Sequence, residues 1–230
     1  MGSYRSKELT KNTFIITLGR VSTQFISFLL LPLYTALLTT EEYGTVDLIT
    51  TLVQLLVPVV SIMIDQGVFR YLLNCEAEEE KKRTISSAFF LLLITSATSC
   101  GIFFIISLFV ANPYKSWLLL ILIATAFSNL FLQIARGLKQ TTDYALGSFI
   151  CSASTIVLNV LCIAALHMGA TGMLIATFLG NAICCFFLFV KLKVFRYVSI
   201  AAYNKKLAID ELKYSAPLVP NQLSIWVLNS

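Results

Sequence analysis

The sequence predicts an all-α polytopic membrane protein: one six-helix transmembrane lobe plus the start of a seventh helix. Three observations predict it. Of 230 residues, 57% are hydrophobic and only 13% are charged, against about 25% charged in a soluble domain. Mean hydropathy is +0.82. Six apolar stretches, near residues 13–37, 45–72, 84–110, 117–138, 144–167 and 172–195, each reach the length of roughly 20 residues that a membrane helix needs. The expected layout is therefore a six-span lobe over residues 1–196, a linker over 197–211, and the start of helix 7 over 212–230.

Span 1 follows Arg5, Lys7 and Lys11. It is too long for a signal peptide and lacks a small-residue cleavage site, so it reads as uncleaved. Within it Thr13, Thr17, Arg20, Gln24 and Ser27 recur at steps of four, three, four and three, which places them in one stripe on one helix face. A charge at the bilayer centre costs at least ~2.5–3.5 kcal/mol, so Arg20 is expected to face a bundle interior or a water-filled cavity.

Span 2 repeats the pattern with Asp47, Thr51, Gln54, Pro58, Ser61 and Asp65. Arg20 lies nine residues past Lys11, and Asp65 lies nine residues before Asn74. At 1.5 Å per residue both sit about 13 Å from the same membrane face, so an Arg20–Asp65 ion pair across the two spans is expected. The cavity-lining candidates are Arg20, Gln24, Gln54, Asp65, Thr17 and Thr51. Arg70, near a span end, is expected to snorkel. Asp47, near the other end, is expected to serve the helix terminus.

Span 3 carries small and hydroxylated residues (Ser96, Thr98, Ser99, Gly101) but no amide or charge. Span 4 has Thr125, Asn129, Gln133 and Arg136 on one side; span 5 has Ser148, Ser152, Thr155, Asn159 and Cys162; span 6 has Thr177 and Asn181. In spans 4 to 6 these residues are expected to join helices by interhelical hydrogen bonds. His167 borders a loop. The segment from Lys191 to Lys213 mixes cations with Val194, Phe195, Tyr197, Val198 and Ile200, as in a segment held on an anionic membrane surface; a plain linker fits equally. Pro217 and Pro220 fall in the first turns of helix 7.

Orientation follows from lysine and arginine placement. With the N-terminus inside, fourteen cations fall in inner segments and one, Lys115, falls outside; Arg20 and Arg70 lie within spans. A multi-pass inner-membrane protein with a cytoplasmic N-terminus is expected. The net charge of +5 sits in particular loops and does not indicate nucleic acid. The six cysteines read as free thiols, mostly acting as small hydrophobes. No His/Cys spacing indicates a metal, and no cofactor is implied. The short loops have no room for a catalytic domain, so the chain does not read as an enzyme.

Several segments resemble a known family. Leu31-Pro32-Leu33-Tyr34-Thr35, followed by Leu38-Thr39-Thr40-Glu41-Glu42-Tyr43-Gly44, resembles the first helix and outer turn of Wzx-type bacterial polysaccharide flippases. These form the polysaccharide-transport branch of the superfamily that includes MATE exporters and the lipid II flippase. Arg136-Gly137-Leu138 before Tyr144-Ala145 resembles their fourth-to-fifth helix turn, and Leu212–Asn221 resembles the entry to their seventh helix. The resemblance implies flipping of undecaprenyl-diphosphate-linked oligosaccharide from the inner to the outer leaflet, such as O-antigen in lipopolysaccharide biosynthesis. It also implies two pseudo-symmetric lobes around a cavity, and a cavity role for Arg20.

Such flippases have about twelve to fourteen spans, so a truncated half with little activity alone is expected. Pairing with a second-lobe chain or with itself is the alternative. Two other functions stay open: the lobe of a MATE-like drug or cation exporter, and a non-transporting membrane scaffold subunit.

Overall fold

The computed structural model describes residues 34–109 and 113–229. Span 1 lies outside the described residues up to its last turn, and with it Thr17, Arg20, Gln24 and the expected Arg20–Asp65 pair.

Every regular element among the described residues is helical. Helix α1 (Thr40–Ser61) begins with a capping box: the Thr39 hydroxyl accepts from the Glu42 amide at 3.2 Å, and the Glu42 carboxylate accepts from the Thr39 amide at 2.9 Å. Thr39 thus caps the helix, and Asp47 is an exposed residue two turns in. Helices α2 (Ile64–Asn74), α3 (Glu78–Ser107), α4 (Lys115–Gly137), α5 (Thr141–Asn159) and α6 (Gly169–Lys191) follow. A π-helical turn, Val160–Ala165, extends α5. Five helices are long and apolar enough to cross a membrane: α1, α3, α4, α5 with its π turn, and α6. They correspond to spans 2 to 6. Large side chains such as Phe104, Ile105, Phe149 and Phe186 remain exposed on them, as a lipid-facing surface requires.

The linker is folded. It holds α7 (Val194–Tyr197), a 3₁₀ turn at Ile200–Ala202, and α8 (Lys205–Ser215). Asn204 caps α8, its side-chain carbonyl accepting from the Leu207 amide at 3.1 Å. Helix α8 runs past Leu212, and α9 (Leu218–Asn229) starts only after Pro217. Ala216 keeps helical backbone, but Pro217 has no amide hydrogen to give the Lys213 carbonyl, and the ladder of α8 stops there.

Two large apolar clusters, with a smaller one of Tyr34, Leu38 and Ile163, hold the bundle together. At the linker end, Val68 and Leu72 of α2, Ile85 and Leu92 of α3, Leu130 and Ile134 of α4, and Leu188 of α6 are all buried. At the opposite end, Val46, Ile49 and Val53 of α1 pack with Ile121 and Leu122 of α4 and Leu174 of α6. Phe89 and Phe131 stack with ring centres 6.4 Å apart. Close backbone approach needs small residues. A Cβ at Gly137 would lie 2.7 Å from that of Leu72, and one at Gly180 would lie 3.1 Å from that of Thr155. These contacts let α4 meet α2 and α6 meet α5 at short range.

Candidate functional site

Span 2 is broken in the middle, and the break is local chemistry. Pro58 has no amide hydrogen, so the Gln54 carbonyl loses its helical donor. One turn on, Ile62 and Met63 both take left-handed backbone, at φ 49° and 53°, which separates α1 from α2. The Ser61 hydroxyl accepts from the Met63 amide at 3.2 Å across the break. Irregular backbone within a membrane span is tolerated where it is buried in protein or lines a wet cavity.

Such a cavity is present. It has a volume of about 590 Å³, and Ser61 and Met63 are in its wall. Helices α1 and α2 contribute Gln54, Pro58, Asp65 and Gln66. Helix α4 contributes Thr125, Asn129 and Gln133, spaced by four so that one face presents all three. Tyr144 of α5 and Gln222 and Trp226 of α9 complete the polar lining, while Val53, Val57, Leu132 and Ile225 supply apolar surface.

Gln54 and Asp65 are therefore in one cavity wall; Thr51 is half-buried nearby on α1 and does not line it. The lining has five side-chain amides, on Gln54, Gln66, Asn129, Gln133 and Gln222. Asp65 is its only charged side chain among the described residues, and its carboxylate accepts from the Gln66 amide at 2.7 Å. The Gln133 carbonyl oxygen is buried without a hydrogen-bond partner. An amide offers both donors and an acceptor, so this surface matches a neutral polyhydroxylated molecule. Tyr144 and Trp226 add aromatic bodies with polar tips. No group of His, Cys, Asp and Glu able to hold a metal occurs among the described residues.

The polar residues of spans 4 to 6 behave differently from the interhelical bonding expected of them. On span 4 Thr125, Asn129 and Gln133 are cavity wall. On spans 5 and 6 their donors turn back on their own helices, while the Asn181 side-chain carbonyl accepts across the seam from the Cys151 thiol at 4.0 Å. Thr155 donates to the Cys151 carbonyl at 2.8 Å, and Asn159 to that of Thr155 at 2.8 Å. Thr177 donates to Met173 at 2.9 Å, and Asn181 to Thr177 at 3.0 Å. A side chain that can reach the preceding turn satisfies itself without a neighbour. Arg70 is exposed, and its guanidinium lies 4.1 Å from the centre of the Tyr214 ring on α8. Arg136 stacks on Phe69 at 4.5 Å.

Among the lining residues with polar groups, Gln66, Tyr144, Gln222 and Trp226 are those that helical spacing did not select. Gln66 adjoins Asp65 and lies off the stripe; the broken helix admits both. Gln222 and Trp226 are spaced by four on α9, a signal present but too short to stand alone.

A family model described as polysaccharide biosynthesis protein matches residues 9–230. The chain belongs to the polysaccharide biosynthesis protein family. Solved structures show its fold. A MATE crystal structure in complex with MaD3S superposes with a TM-score of 0.71 at 18% identity, covering 94% of this chain and 52% of that one. A MATE complex with MaL6 gives 0.69 at 20% identity, and an outward-facing multidrug resistance MATE transporter of the MOP superfamily gives 0.67 at 18%. Each of these two is covered over 51% of its length, so this family member spans about half of the transporters it resembles. A search of curated proteins found no match. The fold is thus that of one half of a MATE transporter, and the cavity lies between helices of this half and α9.

Proposed function

We propose that this chain forms one lobe of a flippase that moves a lipid-linked oligosaccharide, of the undecaprenyl-diphosphate class, from the inner to the outer leaflet of a bacterial plasma membrane. The observation that carries the reading is the cavity lining. Five amides and two aromatics suit the hydroxyls and apolar faces of a glycan, and membership of the polysaccharide biosynthesis protein family points the same way. The N-terminus and the loops bearing Lys81–Arg83 and Lys191–Lys213 lie on the cytoplasmic side, following the cation bias. A second lobe, from another chain, a second copy or a continuing sequence, closes the cavity.

One observation favours a second reading. Among the described lining residues the only charge is the carboxylate of Asp65, which suits a cationic cargo or a coupling cation better than a diphosphate. The phosphate-binding cation would then have to come from Arg20, which lies outside the described residues, or from the second lobe.

The two readings separate in a strain lacking its own flippase and its drug exporters. Expression of this lobe with its partner lobe restores surface glycan and leaves resistance to cationic dyes unchanged. Dye efflux without surface glycan would establish the exporter reading instead.

A further inference from the structure

Where α6 ends, the chain builds a second, separate pocket. Lys193 takes left-handed backbone, φ 52°, and turns the chain from α6 into α7. Val194 is fully buried and anchors that turn. Two serines at the start of α3 then stitch the linker to the bundle. The Ser86 hydroxyl donates to the Tyr197 carbonyl at 2.6 Å and accepts from the Ser199 amide at 3.1 Å. The Ser87 hydroxyl bonds the Asn204 carbonyl and amide in the same way, at 3.3 and 3.2 Å. The segment is therefore fixed in position.

The pocket this creates has a volume of about 440 Å³, with Lys82, Lys191, Lys193 and Arg196 among its lining residues. Two carboxylates share it, Glu78 and Glu79. Glu78 is already engaged: it accepts from the Lys81 ammonium at 2.7 Å and from the Tyr197 hydroxyl at 3.3 Å. The four lining cations form no ion pair among the described residues. Phe186, Val190, Phe195 and Ile200 are exposed on the same end of the bundle. A fixed cationic pocket beside exposed apolar side chains matches a molecule with an anionic head and hydrocarbon tails.

The geometry points to a binding site for an anionic phospholipid head group of the leaflet that faces the linker, held by Lys82, Lys191, Lys193 and Arg196 and clamping the linker against α3 and α6. The site is independent of the cargo that the central cavity carries. Its ligand is bound and kept, and no bond is made or broken.

The test uses the 230-residue chain in nanodiscs of phosphatidylcholine with graded phosphatidylglycerol, with retained lipid counted by native mass spectrometry. The wild type is expected to retain phosphatidylglycerol in preference to phosphatidylcholine. Each cation near an anionic lipid contributes roughly a fivefold preference, so the triple variant Lys191→Gln, Lys193→Gln, Arg196→Gln should lose roughly a hundredfold at low salt. The triple variant Lys205→Gln, Lys206→Gln, Lys213→Gln removes equal charge from α8, outside the pocket, and should keep the preference. Equal loss in both variants, or no preference in the wild type, would overturn the site. Displacement of the lipid by millimolar inorganic phosphate would assign the pocket to a free anion and overturn the lipid. Should the pocket triple variant misfold, Lys191→Gln alone should lose roughly fivefold, and unchanged retention there is equally contradictory.

Discussion

Glu211 shows how much one residue decides. It faces inward from α8, is fully buried, and neither carboxyl oxygen has a hydrogen-bond partner. Gly67 of α2 lets the backbone of α8 approach closely, since a Cβ there would lie 3.3 Å from the Glu211 backbone carbonyl oxygen. Burial pushes the Glu211 carboxyl up to about 9. The unfolded value is about 4.3, so the folded state holds this proton more tightly. The stabilisation is fully present below that unfolded value and is lost as pH rises towards 9. Thermal unfolding in detergent should therefore show the wild type weakening between pH 5 and pH 9, with Glu211→Gln markedly less sensitive. A variant that retains the full pH dependence would assign it to other groups. Nothing in the sequence marks Glu211 as buried. It sits in a Lys-rich amphipathic segment, and only the docking of α8 on α2 and α3 removes it from water.

At the scale of elements, helix order and the five described spans were legible because hydropathy fixes membrane helices strongly. Gln54, Pro58 and Ser61 of the stripe were legible because helical spacing holds up to the break, and Asp65, beyond it, still joins the same cavity wall. The break itself was only half visible. Pro58 signals it, but the left-handed pair Ile62–Met63 carries no glycine and looks in sequence like ordinary helix. Folding of the linker was hidden for the opposite reason, since α7 and α8 are too short and polar to register as spans. The α5–α6 seam is the element contact most open to test. Gly180 faces Thr155 and the Cys151 carbonyl, 3.2 Å from where a Cβ would lie. Gly180→Leu should overpack this seam and destabilise by about 1–3 kcal/mol, read as a lower detergent unfolding temperature. An unchanged temperature would mean that the helices separate freely.

The whole molecule is a lobe with a polar wall, and the proposed orientation rests on the placement of its cations. In a background without native cysteines, cysteines placed at Ala77 and Lys206 should react with an impermeant maleimide only after the cells are opened, and one at Ser116 should react in intact cells. The reverse pattern would invert the lobe. Part of the candidate site was legible at this scale. Gln54 and Asp65 were chosen for their cost in lipid, and both line the cavity. The span 4 amides were undervalued, because a sequence cannot say whether an amide faces a neighbour, its own helix or a void. Asn129 lies in the middle of that wall, half-buried and aligned with Thr125 and Gln133. The most direct test of transport through this cavity is to fill it. Surface glycan is measured in a flippase-null strain expressing the assembled transporter with Asn129→Trp, alongside its level in the membrane. Glycan should be lost while the protein accumulates normally; wild-type glycan with the tryptophan in place would contradict the cavity as the path.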